Sequence, residues 1–110
     1  MTNIKLAIPL ALAFVFGAET SVLAQDMGYE KEMMSAHKKM MEDMMAMKPT
    51  GDPDKDFAMM MVPHHQGAID MAEVQLKYGK DPQLKKMAQD IIDAQKKEIE
   101  EFKKWEGANH

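Results

Sequence analysis

Residues 52–79 read DPDKDFAMMMVPHHQGAIDMAEVQLKYG, and this stretch decides the fold. Asp52 is suited to cap a helix whose first position is Pro53, where the missing N–H costs nothing. Gly79 fits the cap at the far end. No period-two alternation interrupts the run, so it predicts one helix over residues 53–78 and no strand. Pro63 lies inside that helix. It removes the backbone bond to the carbonyl of Met59 and tends to bend the axis, directly before the pair His64-His65.

The same punctuation recurs on either side. Asp81-Pro82 starts a third helix that runs to about Trp105, with Leu84, Met87, Ala88, Ile91, Ile92, Gln95, Ile99 and Phe102 on one stripe. Upstream, a first helix over about residues 29–47 carries Met33, Met40, Met44 and Met47 at steps of seven, four and three. Lys48-Pro49-Thr50-Gly51 stops it. Both connections are short, so neighbouring helices should run antiparallel. The expected fold class is all-α, a small up-down helical bundle of three helices.

The beginning of the chain reads differently. Residues 1–24 are MTNIKLAIPLALAFVFGAETSVLA, with Lys5 the only charge before a mostly apolar run over residues 6–18. That run is too short to span a bilayer and ends in small and polar residues. Val22-Leu23-Ala24 resembles a small-residue cleavage site. A signal peptide is therefore expected over residues 1–24, cut after Ala24, and a single Met/His-rich helical domain over residues 25–110. The expected location is periplasmic or secreted, with no membrane attachment after cleavage.

Composition narrows the function classes. A chain of 110 residues allows one small domain. All 14 basic residues are Lys and the formal charge is -4, which argues against nucleic acid, where basic surface and bidentate Arg contacts carry the binding. With no Cys, disulfides, thiolate catalysis, Fe–S clusters and Cys-type zinc sites are excluded together. The 14 Met are the anomaly, and all but Met1 lie in the expected mature chain. A core this small is thin without a staple, and a bound metal or a partner subunit would supply one.

Methionine and histidine share helix faces. Residues three and four apart are neighbours on a helix, and for His37 those four neighbours are Met33, Met34, Met40 and Met41. Met60 precedes His64 by four, Met61 precedes His65 by four, and Met71 follows His64 by seven. Gly67 and Ala68 leave room beside the histidines. If the first turn centres near residues 51–53, Met40 and Met41 lie level with His64 and His65, and Met44 with Met60 and Met61. Around the second turn, Gln95 falls level with His65 and Glu98 one turn away, both candidates to hold an imidazole by its other ring nitrogen. Thioether sulfur and imidazole nitrogen form a soft donor set, which selects Cu(I), or Ag(I) as its mimic, over Mg, Ca or Mn. The candidate metal residues are His64, His65, Met61, Met60, Met71, His37, Met40, Met41 and Met44. Met is also a good helix former and a flexible core filler. Met87, on an Ile/Leu stripe, is read as core.

The run Met61-x-Pro63-His64-His65-Gln66-Gly67-Ala68 with Met71-Ala72, followed by Gln95, Glu98, Ile99 and Trp105, resembles the secreted family catalogued as domain of unknown function 305, which includes CopM-like periplasmic copper-binding proteins. The resemblance covers residues 56–105. It implies a ferritin-like helical bundle and a copper-handling role, with Met61, His64, His65 and Met71 carried over as site residues. Phe102 stands where the family pattern has Met. A ferritin-like bundle has four helices, so with three here the fourth would come from a partner subunit, making a homodimer.

Three function classes remain. The leading expectation is a copper-binding protein that buffers or carries Cu(I) in copper tolerance or homeostasis, with no catalytic step and with a periplasmic copper-handling partner. The alternative is a Met-rich helical interaction module with no metal role. A ferritin-like metal oxidase is disfavoured, because such sites need Glu three residues before His, and that position is Met34, Met61, Val62 or Gly107 for the four His residues.

Overall fold

The computed structural model describes residues 17–109. They form three helices, α1 (Gly17–Met45), α2 (Pro53–Tyr78) and α3 (Pro82–Ala108), and no strand occurs among the described residues. The all-α reading therefore holds. Residues 1–16 of the expected leader lie outside the described residues, while residues 17–24 are helical. Among the described residues no helix is long and apolar enough to cross a membrane.

Helix α2 begins and ends where its punctuation puts it. The Asp52 side chain accepts from the N–H of Asp54 at 3.0 Å, satisfying a donor that the first turn leaves free. Thr50 braces the turn: its N–H and its hydroxyl both donate to Asp56 Oδ1, at 2.8 and 2.7 Å. Those bonds, the hydroxyl's first, hold the Asp56 carboxyl below the usual carboxylate range. Gly51, between them, takes a φ of +86°, which an L side chain rarely adopts. At the far end Gly79 caps the helix through its N–H to the carbonyl of Gln75. The helix continues unbroken through Pro63.

Helix α1 differs from its expected bounds. It starts twelve residues earlier, at Gly17 rather than near residue 29, and stops at Met45. Residues 46–52 then run non-helically into the Asp52 cap.

The core is narrow and lies between α2 and α3. Ile69 and Ala72 of α2 meet Ala88, Ile92 and Ile99 of α3, with Val62 and Leu76 half-buried beside them. Each buried isoleucine contributes roughly 1.5–3 kcal/mol, so Ile69, Ile92 and Ile99 carry most of the hydrophobic stabilisation of this core. Helix α1 packs on α2, and among the described residues it does not touch α3. Its middle is clasped by Lys77, which donates to Glu32 at 2.6 Å, and by the edge-to-face pair Tyr29–Tyr78. The Lys77 hydrogen bond lowers the Glu32 carboxyl and is reciprocated by a raised Lys77 ammonium.

Candidate functional site

Directly after Pro63, α2 carries two adjacent imidazoles into different surroundings. Consecutive helical residues point about 100° apart, so one ring can enter the α2–α3 contact while its neighbour does not. His65 does so and is 8% exposed, whereas His64 stays exposed. Their ring centroids are 5.9 Å apart.

His65 sits at the head of a cleft of about 660 Å³ between α2 and α3. Met61, one turn before it, lines the same cleft. Phe102 meets the imidazole edge-on at 5.5 Å, and Phe57 packs edge-on against Phe102 at 5.7 Å. Trp105 closes the wall, and Asp54, Glu98 and Glu101 supply carboxylates.

The hydrogen bonding of His65 is asymmetric. Nε2 is bonded to the Glu98 carboxylate, which only accepts in its ionised form. In the neutral ring this assigns the proton to Nε2 and leaves a lone pair on Nδ1. Nδ1 is buried and has no hydrogen-bond partner. A buried polar atom left unsatisfied costs on the order of 1–3 kcal/mol, so this atom calls for a partner that the described residues do not provide.

The other candidates are spread along α1 and α2. Met40 is half-buried and lies against the backbone of Gly67. A Cβ at Gly67 would come within 2.5 Å of Met40 Cγ and 2.7 Å of its Cβ, so only glycine allows this approach. The expected level pairing of Met40 with His64 is corrected here: Met40 pairs about one turn further along α2. The physical reason is the non-helical connection. Residues 46–52 advance about 3.3 Å each where a helix advances 1.5 Å, and this pushes α1 along α2. Met44 and Met60 do share a hollow with Met47 at the mouth of that connection. Met71 lines a second groove, with Ala68, Leu84 and Met87; Met87, expected in the core from its stripe, is half exposed on the rim of that groove, because α3 turns Ala88 and Ile92 rather than Met87 toward α2. His37 and Met41 are exposed on α1. Gln95 is half-buried, and the bond to His65 comes from Glu98 one turn later.

Sequence reading missed the aromatic wall of the cleft. The signal was available: a hairpin centred near Lys80 sets Phe57 opposite Phe102, and Trp105 follows three residues later on the same face. Among the described residues no three His, Asp or Glu side chains gather as a metal seat would require. A seat made of those residue types alone is therefore not formed there.

The family described as domain of unknown function (DUF305) matches residues 15–106. Over 49 residues the chain is 44% identical to an uncharacterized protein, L153, of Acanthamoeba polyphaga mimivirus, a match that covers 44% of this chain and 32% of the relative. The chain thus spans about a third of the length of the curated relative it matches.

Proposed function

The chain belongs to the domain of unknown function 305 family, and from that premise we propose that it is a secreted or periplasmic protein that binds Cu(I) and buffers or carries it, with no catalytic step. The observation that carries this reading is the state of His65. One ring nitrogen is engaged by a carboxylate and the other is a buried lone pair without a partner. A carboxylate on the outer nitrogen is how proteins orient a metal-ligating histidine and raise its basicity. Met61 shares the cleft and supplies a soft sulfur, and sulfur with imidazole favours Cu(I) over oxygen-seeking ions. His64, Met60 and Met71 of α2 and Met40 and Met44 of α1 are the further soft donors of this reading, and His37 and Met41 are exposed on α1.

The test is a titration of the metal-free protein with Cu(I) against a competing chelator, repeated for His65→Ala, Met61→Leu and His64→Ala. The reading expects affinity tighter than about micromolar and a large loss in the His65 and Met61 variants. Affinity weaker than that, or unchanged by His65→Ala and His64→Ala, removes it. Native mass spectrometry with Cu(I), Ag(I), Zn(II) and Fe(II) reports metal choice and stoichiometry.

A second reading is a Met-rich interaction surface without metal. It is favoured by Met34 and Met45, which are 65% and 78% exposed, since adaptable thioethers suit partner binding. Capture of a specific partner by metal-free protein, undisturbed by chelator, would support it.

A further inference from the structure

Because α1 and α3 meet opposite sides of α2, the three helices form a layer with two faces. One face is polar. Gln66, Asp70, Glu73 and Lys77 form one stripe of α2, with Gln66 bonded to Asp70 at 2.9 Å and Lys77 to Glu32 of α1 at 2.6 Å. The other face is not. Its α2 stripe is Phe57, Met61, His64, Ala68, Met71 and Gln75, spaced at three and four residues. The two α2–α3 hollows lie along it in series, the aromatic cleft at one end and a groove of about 380 Å³ at the other.

We propose that this face is the docking surface for a second copy of the same chain, paired face to face and head to tail about a two-fold axis that crosses the helices. Three observations select that occupant. The first is area. Phe57, Leu84, Met87, Ile91 and Trp105 are each more than a third exposed. Together they present on the order of 500 Å² of largely apolar surface, in the upper part of the range for a monomer and the larger share of the ~800 Å² per partner of a stable interface. The second is shape. Phe57 and Trp105 rim the hollow at one end, and the exposed side chains of Leu84, Met87 and Ile91 rim the hollow at the other. A two-fold operation lays each copy's rim over the other's hollow, the self-complementarity an isologous contact requires. The third is charge. Asp54, Glu98 and Glu101 line the aromatic end, and Lys80 sits in the turn beside the hollow. Like ends together would oppose carboxylates, whereas head-to-tail pairing sets them against Lys80. The dimer does not depend on the copper reading, and its test uses metal-free protein.

That test is sedimentation equilibrium of the chelator-treated chain over about 1–100 µM, a range that brackets micromolar association. The wild type is expected to be a dimer. Met87→Glu places a charge where the partner's acidic end docks and is expected to raise the dissociation constant at least about tenfold, with helical circular dichroism unchanged because Met87 is 50% exposed. Glu73→Lys, on the polar face, is expected to leave the dimer intact. A wild-type monomer throughout the range overturns the proposal. So does a dimer that survives Met87→Glu, or one that Glu73→Lys dissociates.

Discussion

Replacing Gly67 by Ala isolates the contact that joins α1 to α2. In an open helix this substitution is favourable by about 1 kcal/mol, because glycine loses more backbone freedom on folding. At Gly67 the new methyl would stand 2.7 Å from Met40 Cβ and 2.5 Å from its Cγ. The Cβ is fixed to the α1 backbone, so no rotamer change of Met40 removes the overlap. Restoring an ordinary contact requires α1 to retreat from α2 by close to an ångström. Overpacking of this kind costs typically 1–3 kcal/mol. The net expectation is a loss of about 1 kcal/mol, which lowers the Tm of a domain this small by roughly 4–8 °C. Gly107→Ala is the matched control. Gly107 is near the end of α3 with nothing within 4 Å of a new methyl, and it is expected to gain about 0.5 kcal/mol. The assay is thermal unfolding followed by circular dichroism at 222 nm. If Gly67→Ala melts at or above the wild-type temperature, the close approach of Met40 is not part of the native packing and the reasoning fails.

Three further outcomes follow from the same contacts. Glu98→Gln keeps a hydrogen-bonding partner near His65 but removes its charge. On the copper reading Cu(I) affinity should fall by about 10–100-fold, measured by chelator competition, with little change in Tm. Ile69, at 2% exposure, is the most deeply buried large side chain among the described residues, and Ile69→Ala should cost about 2–5 kcal/mol. Urea unfolding would read that loss, and a cost below 1 kcal/mol would contradict the assignment of the core. The Thr50 bonds to Asp56 make the first turn sensitive to acid. Because the folded carboxyl is depressed, its stabilisation is present above the usual carboxylate range and disappears as pH falls through the depressed value. Tm should therefore drop below about pH 4, and Thr50→Ala should flatten that decline.

What the sequence made legible followed from strong local chemistry. Asp52-Pro53 and Asp81-Pro82 are helix starts on their own terms, and Gly79 supplied the break between α2 and α3, so those bounds could be read directly. The start of α1 lacks such punctuation: residues 17–28 contain no proline and no decisive cap, and the helix extends back through them. The pairing of α1 with α2 was harder still. It depends on how far residues 46–52 travel per residue, which no side-chain pattern encodes, and so Met40 came to lie on Gly67 one turn from its expected place. Glu98 was within reach of reading because the α2–α3 turn is tight and leaves little freedom in register. The contrast between His64 and His65 was not, since the 100° divergence of adjacent residues does not say which of the two rings faces α3.

The attachment of α1 carries a mechanical consequence. Its anchors are the Met40–Gly67 approach, the Met44–Met60 hollow and the Lys77 clasp, all of them on α2. The aliphatic centre from Ile69 to Ile99 needs nothing from α1. Peeling that helix away is therefore a separate opening event, cheaper than melting the α2–α3 hairpin. In hydrogen exchange the amides of α1 should lose protection first. Every thioether that α1 holds over α2 would be bared in that step, while the His65–Glu98 cleft stayed shut.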